Sequence, residues 1–519
     1  MSEPGWFESR LPLRRWTREL LDEDVPGGAS YWYIFGSATA IAFVILIATG
    51  IWQLIYYVPT TEHAYDSVNF LRFQVPWGWL IHGLHFWASS AMVVLLLLHL
   101  VQTFIWGAFK KPRELTWVLG VVLLLATLLA VFTGTPLPWD KRGYLAAQVG
   151  NGIAGSVPLI GGLAKQVMWG GDTIGQLALS RLFWLHITVV PIAIGIIFLL
   201  HLLAFRIPGG AVSFSEKRNR SRVGRFWPDQ LLKDFIAFSV VFVGLVGLSS
   251  YLMTPVLGAA DALDATYVGK PDWPFLFLYQ LLKFVPGRFE PVAVALVPLL
   301  GLAVLLGIPW LDRSAERSPL KRPVAMGMFA VAVIGMVVLS IMGNGGPTEI
   351  VSKAAGGASS LESSATTPAV GARFTPTAPF IIGNAEHGAT VFSGFCESCH
   401  GPKGNGHAVG TVQAPGLNPI DPAIYARDPQ EFVLKIDLVI EEGAQNQGKV
   451  LMPAFGSSSI MSQAQIADVE AYVLRLNGVD RAQLVNPGMD PKVFFFVVLA
   501  AFAMIDVAGL IGSARLGRG

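Results

Sequence analysis

Charge is scarce in this chain of 519 residues: Asp, Glu, Lys and Arg make up 14%, against 53% hydrophobic residues and a mean hydropathy of +0.54. Ordinary soluble domains carry about 25% charged residues. That shortage excludes a typical soluble globular protein and makes a multi-span membrane protein the expected class. Cysteine is scarcer still. Cys396 and Cys399 are the only two, so no second pair exists to complete a cysteine-rich zinc site. A cleavable leader is not expected either, because the first apolar run follows a polar segment containing "RLPLRRWTREL" and lacks a small-residue cleavage site. The formal net charge of +2 discriminates nothing by itself.

What the chain has in abundance is long apolar runs, near 32–57, 79–107, 115–134, 183–205, 233–253, 290–310, 323–343 and 492–512. Each approaches the ~20 residues a helix needs to cross the hydrocarbon core, so about eight transmembrane helices are expected. The basic stretches "RLPLRRWTREL", "KKPR" (110–113), "EKRNRSRVGR" (216–225) and "DRSAERSPLKR" (312–322) all fall on one side of such a bundle. The positive-inside rule makes that side cytoplasmic and puts segments 58–77, 135–182, 254–289 and 344–490 on the far side.

Residues 343–379 are rich in Gly, Ala, Ser, Thr and Pro and read as a tether. Beyond it, residues 383–478 combine short helical patterns with Gly and Pro loops, in a domain small for its own core. It contains "FCESCHGPKGNG". Cys396, Cys399 and His400 form the C-x-x-C-H signature of covalent c-type haem attachment, with His400 as an axial ligand. The competing readings are a redox dithiol and half of a zinc site, disfavoured by the lack of a βαβ pattern and of a second cysteine pair. The sixth ligand is expected to be a downstream thioether: Met452 in "VLMPAF", with Met461 as the competitor.

"GWLIHGLHFWASSAMVVLLLLHL" (78–100) keeps three histidines in an apolar span. His85 and His99 are 14 residues apart, close to four helical turns, so both leave one face about 21 Å apart along the axis. His186 and His201 in the fourth run are 15 apart. Two antiparallel helices with such pairs can clamp two haems stacked across the membrane, His85 with His186 and His99 with His201. Gly36 and Gly50 in the first run, and Gly120 and Gly134 in the third, repeat the spacing of 14 and would let a flat macrocycle approach the backbone. The plainer alternatives are histidines bonded to neighbouring helices and glycines that merely pack helices. His82, one turn before His85, is expected in a supporting or propionate contact.

"GAFKKPRELTWVLGVVL", "PLPWDKRGYLAAQ" and the histidine spacings resemble the short cytochrome b of the cytochrome bf complexes of photosynthetic membranes. "PDQLLKD" through "PLKRPV" resembles the separate subunit IV of those complexes, and the remainder is similar to a fused monohaem cytochrome c with a terminal anchor. The resemblance covers roughly residues 25–343. It implies an all-α membrane protein: a cytochrome b-type bundle of about eight transmembrane helices plus a small class I-like α-helical cytochrome c domain. The boundaries expected are a dihaem four-helix domain at 1–226, a subunit IV-like domain at 227–343, a flexible linker at 344–380, the cytochrome c domain at 381–480 and a C-terminal anchor at 491–519.

The resemblance also implies a function, the oxidation of membrane quinol near the extracytoplasmic face with two b haems, one covalent c haem and proton translocation. Electron flow would bifurcate between the b haems and a Rieske iron-sulfur protein. Both cysteines being committed to haem c, the Rieske protein would be a separate subunit. The expected partners are that protein, a soluble or membrane-bound cytochrome c or other acceptor, the lipid bilayer and a second copy in a homodimeric complex; nucleic acid is not among them. The expected location is a bacterial cytoplasmic membrane. The family's quinol-oxidation motif, usually Pro-Glu-Trp-Tyr, reads Pro271, Asp272, Trp273, Pro274 here. Asp272 would take a proton from quinol, with a simple surface turn as the alternative reading. Arg206 matches a basic residue near the family's cytoplasmic quinone site, or serves as a lipid anchor. The family's span-one cysteine that tethers an extra haem aligns with about Ile34, so that haem is not expected. A membrane conduit for a separate dehydrogenase is the competing function.

Overall fold

In the computed structural model the described residues are 21–208, 223–254, Ala260, 270–345, 383–419, 436–478 and 491–516, apart from isolated positions. The expected linker beyond residue 345 and most of the basic loop at 216–225 lie outside them, while residues 344 and 345 still belong to the helix Pro323–Gly345. Eight helices among these residues are long and apolar enough to cross a membrane: Tyr31–Gln53, Gly78–Ile105, Glu114–Gly134, Gln176–Arg206, Phe226–Tyr251, Val292–Leu311, Pro323–Asn344 and Pro491–Gly512, here spans one to eight. Span four starts seven residues before the apolar run does, since "QLALSRL" continues the same helix with Gln176 and Ser180 exposed and Arg181 half-buried.

Span one packs on span two and span three on span four. Helices in lipid gain little from hydrophobic burial against each other, so close packing must hold them. Three interlocked clusters supply it. Leu80, Leu84 and Ala88 of span two meet Leu245 and Val246 of span five, with Phe494 and Phe495 of span eight against them. Phe104, Phe109, Trp117 and Val121 pack with Leu305 and Phe329, and Leu123 of span three packs with Val190 and Ile194 of span four.

A polar clamp closes one end. Lys110 Nζ donates to Asp312 Oδ1 at 2.7 Å, Arg322 Nη1 donates to Asp312 Oδ2 at 3.1 Å, and Arg322 Nη2 donates to the carbonyls of Phe104 and Ile105. Those carbonyls end span two, where Phe104 O also accepts from Gly107 N at 3.0 Å, so the guanidinium adds to the cap of the helix while joining it to the loop after span six. At the other end Asp140 caps the helix Lys141–Ser156 by accepting from Gly143 N at 2.8 Å. Gly78 starts span two where no other residue fits, because a Cβ would lie 1.7 Å from Leu71 O.

The domain around Cys396 is built on two crossing helices, Ala385–Phe395 and Gln463–Leu476. Gly388 permits the crossing, since its Cβ would meet Asp468 O at 1.9 Å. Phe392 and Ile466 are fully buried there, each contributing about 1.5–3 kcal/mol. A short ribbon pairs Ala444–Asn446 with Lys449–Met452. A second ribbon, Asp24–Pro26 with Val223–Arg225, joins the approach to span one to the approach to span five.

Candidate functional site

His85 and His186 face each other with ring centroids 6.2 Å apart and planes at 75°. That separation leaves room for a metal centre between the two rings. Both rings are held in the tautomer that ligation needs. His186 Nδ1 lies 3.1 Å from Ala130 O, an acceptor only, so Nδ1 carries the proton and Nε2 keeps its lone pair. Thr49 Oγ1 gives its own proton to Ile45 O and so accepts from His85 Nδ1 at 3.0 Å. His99 and His201 line one cavity of about 550 Å³, together with Gly36, Gly120, Gln102, Asp234 and Arg206.

The four glycines answer the four histidines one to one. A Cβ on Gly50 would meet His85 Cε1 at 3.2 Å, on Gly36 His99 Cε1 at 3.4 Å, on Gly120 His201 Cε1 at 3.3 Å and on Gly134 His186 Cε1 at 2.6 Å. The expectation was space for a macrocycle against the backbone; the structure puts an imidazole edge into each gap. The unequal spacings have a local cause. Leu185–Val189 forms a π-helical turn ahead of Pro191, which lacks the N–H a regular turn would use. That turn absorbs one residue, so 15 positions in span four match 14 in span two.

Span three carries the site onward. Thr133 Oγ1 lies 3.2 Å from His186 Nδ1, Gly134 faces the same ring, and the Thr135 hydroxyl donates to Asp272 Oδ2. Asp272 Oδ1 is 4.0 Å from Arg142 Nη1. Trp273 Nε1 donates to Ser90 Oγ of span two at 3.2 Å, and Pro274 is buried in a 3₁₀ turn, Trp273–Phe275. Pro271 precedes that turn without a polar contact of its own to the histidines. The motif is therefore packed onto spans two and three beside the His85–His186 pair.

Other residues fall differently. His82 turns to Thr254, Nδ1 to Oγ1 at 3.1 Å, while Arg72 Nη2 donates to Thr254 O at 3.0 Å. Burial pushes the Arg72 guanidinium down to about 10, against the nearby Tyr65 and Asp140 that raise it. Asp234 escaped the sequence reading. It accepts from Ser37 Oγ and Gln230 Nε2, both at 3.0 Å, and lines the His99–His201 cavity. A carboxylate in an apolar span was the signal available.

In the separate domain, His400 Nδ1 lies 3.0 Å from Pro415 O, which again leaves Nε2 as the free nitrogen. Burial, with Cys399 adding to it, pushes the Cys396 thiol up to about 12. Met452 is partly buried at the end of its strand, before Pro453, and packs on the core that includes Cys396. Met461 is 3% exposed inside that core, its N–H bonded to Phe455 O at 3.0 Å.

Paired intramembrane histidines on a bundle of eight spans, with a C-x-x-C-H domain in the same chain, define a multi-pass membrane electron-transfer protein. The model of the family "Cytochrome b/b6/petB" matches residues 20–209, "Cytochrome b(C-terminal)/b6/petD" residues 259–360 and "Cytochrome c" residues 385–477. A cytochrome bc complex cytochrome b subunit of Chlorobaculum thiosulfatiphilum is 33% identical over 342 residues, covering 65% of this chain and 79% of that protein. The cytochrome b6 of Prochlorococcus marinus (strain MIT 9515) is 39% identical over 204 residues, 39% of this chain and 94% of its own. Among solved structures, a chain of a hyperthermophilic respiratory Complex III superposes with a TM-score of 0.60 at 26% identity, over 66% of this chain and 91% of that one. The chain belongs to the cytochrome b family and carries a cytochrome c domain as well.

Cytochrome b and cytochrome c domains imply haem, and the residues present fit it: facing imidazoles with Nε2 available, each seated against a glycine of a neighbouring span, and a cavity of about 550 Å³ at the second pair.

Proposed function

We propose that this chain is the cytochrome b/c subunit of a quinol:cytochrome c oxidoreductase, or of one serving another high-potential acceptor. His85 with His186 and His99 with His201 would each hold a b haem, Cys396 and Cys399 would bind a c haem covalently, and His400 with Met452 would ligate it. When bound, these haems supply one-electron transfer. Quinol oxidation releases two electrons and two protons. One electron passes to a separate Rieske iron-sulfur protein and one into the membrane part of this chain.

The observation that carries this reading is the run Thr133, Gly134, Thr135, whose first two residues touch the His186 ring and whose third donates to the Asp272 carboxylate. A proton acceptor therefore stands one residue from a haem-ligand contact. Asp272 accepts a proton from the quinol hydroxyl and releases it to water on the extracytoplasmic side, which is how oxidation contributes to a proton gradient. At the other pair, Asp234 and Arg206 offer an anion and a cation in one cavity, suited to orienting a quinone and delivering protons to it. Pro271 and Trp273 position the acceptor. On this reading the complex works as a homodimer in a bacterial cytoplasmic membrane, its cytochrome c domain outside, which the basic loops on the opposite side support.

Asp272→Asn should keep all three haem spectra while slowing quinol oxidation by ~10²-fold or more, the usual worth of a general base. Purification of the complex should also reveal the electron paramagnetic resonance signal of a Rieske cluster. Quinol oxidation without that signal would favour the conduit reading and sink this one.

A further inference from the structure

Arg142 sits in the first turn of the helix Lys141–Ser156, where the helix dipole disfavours a cation. Its guanidinium nonetheless turns inward. The guanidinium carbon lies 5.5 Å from the ring centre of Phe86, the neighbour of His85, and Nη1 is 4.0 Å from Asp272 Oδ1. Nε is buried with no hydrogen-bond partner. The side chains of Arg142 and Asp272 are 24% and 19% exposed, so water screens their attraction only in part.

Asp272 is thus held from two sides, by the Thr135 hydroxyl on Oδ2 and by a full positive charge near Oδ1. Aspartate is one methylene shorter than glutamate and sweeps a smaller arc, so the placement of its carboxylate depends more on its neighbours. Resting on the reading of Asp272 as the proton acceptor, we propose that Arg142 is its positioning residue. The guanidinium draws the carboxylate and keeps it aimed between Thr135 and the helix Lys141–Ser156. When quinol arrives, its two O–H bonds break: one proton forms a new O–H bond on the Asp272 carboxyl group, the other passes to water, and the two electrons leave to the acceptors named above. The neutral carboxyl is no longer drawn by Arg142. It is then free to rotate toward the surface and give the proton to water, after which the restored charge is recaptured.

The test compares Arg142→Gln, Arg142→Lys, Asp272→Asn and the double variant Arg142→Gln/Asp272→Asn in the purified complex, with a short-chain naphthoquinol as electron donor. Arg142→Gln should lower kcat by ~10-fold or more with KM and haem spectra unchanged, since it acts on the transition state through Asp272. Arg142→Lys should recover the rate to within about threefold, because it retains the charge but lacks the fork. In the Asp272→Asn background, Arg142→Gln should add less than about twofold, as residues acting as a unit do not multiply. Arg142→Gln within about twofold of wild type, no rescue by lysine, or independent effects in the double variant would each overturn the proposal. If Asp272→Asn slows the reaction and Arg142→Gln does not, this inference alone fails. If Asp272→Asn itself leaves the rate unchanged, the reading of Asp272 falls and this proposal falls with it.

Discussion

Gly134→Ala should disable the His85–His186 haem site, whereas Gly36→Ala should be tolerated at the His99–His201 site. The added methyl at 134 would lie 2.6 Å from His186 Cε1, 3.0 Å from Nδ1 and 3.2 Å from Nε2. The whole ring would have to retreat by roughly 0.8 Å to regain ordinary contact. It has little freedom to do so, because Nδ1 is held by Ala130 O at 3.1 Å. Overpacking of this kind costs about 1–3 kcal/mol and a strained or lost hydrogen bond about 1 kcal/mol more. The combined loss corresponds to a ~30- to 1,000-fold weaker hold on the metal group. At Gly36 the new methyl meets His99 Cε1 at 3.4 Å, ordinary van der Waals distance. A pyridine haemochrome assay on the purified complexes reads the outcome. Wild type and Gly36→Ala should give two b-type haems for each c-type haem, and Gly134→Ala should approach one, with one component missing from the redox titration. Equal haem ratios and unshifted potentials in both variants would refute the steric reasoning.

Met452→Ala should leave haem c attached yet lower its potential and abolish the long-wavelength sulfur-to-iron band; survival of the band would transfer the role to Met461. Burial raises the Asp312 carboxyl, but hydrogen bonds from Lys110, Arg322 and Ser314 outweigh it and hold it below the ordinary aspartate range. Its contribution is therefore complete above the unfolded value of about 3.9 and is lost as pH falls through the lower folded value. Limited proteolysis should cut the loop after span six only in that acid range, and equal cutting at neutral pH would contradict the clamp. Removing everything after Gly478 should keep haem c attached and reducible but loosen assembly, because span eight is docked: Ser239 Oγ lies 3.1 Å from Asp506 Oδ1, and Phe502 packs among Phe235, Phe238 and Phe242. Unchanged assembly and unchanged Rieske-to-haem c transfer would reduce that helix to a passive anchor.

Hydropathy, helical periodicity and a contiguous motif are local properties, so the chain's own sequence set the eight spans, the histidine levels at 85, 99, 186 and 201, and the C-x-x-C-H attachment motif. Spacing alone left the difference between 14 and 15 unexplained, because a π-helical turn before Pro191 depends on backbone geometry and leaves no periodic mark. The glycine pattern was visible, but its meaning was not: which ring fills each gap depends on the crossing of spans one with two and three with four. Tertiary structure also decided what Asp272 meets. Thr135 and Arg142 lie 137 and 130 positions away in the chain, and they reach the same carboxylate only because the end of span three and the helix after it fold over the Phe86–Ser90 face of span two. Asp234 and Ser37 meet in the same way, as do Asp506 and Ser239. Asp234 and Asp506 lie on apolar spans, where a hydroxyl from a distant segment satisfies the carboxylate. Such pairings follow from three-dimensional closure, which no local pattern in the sequence encodes.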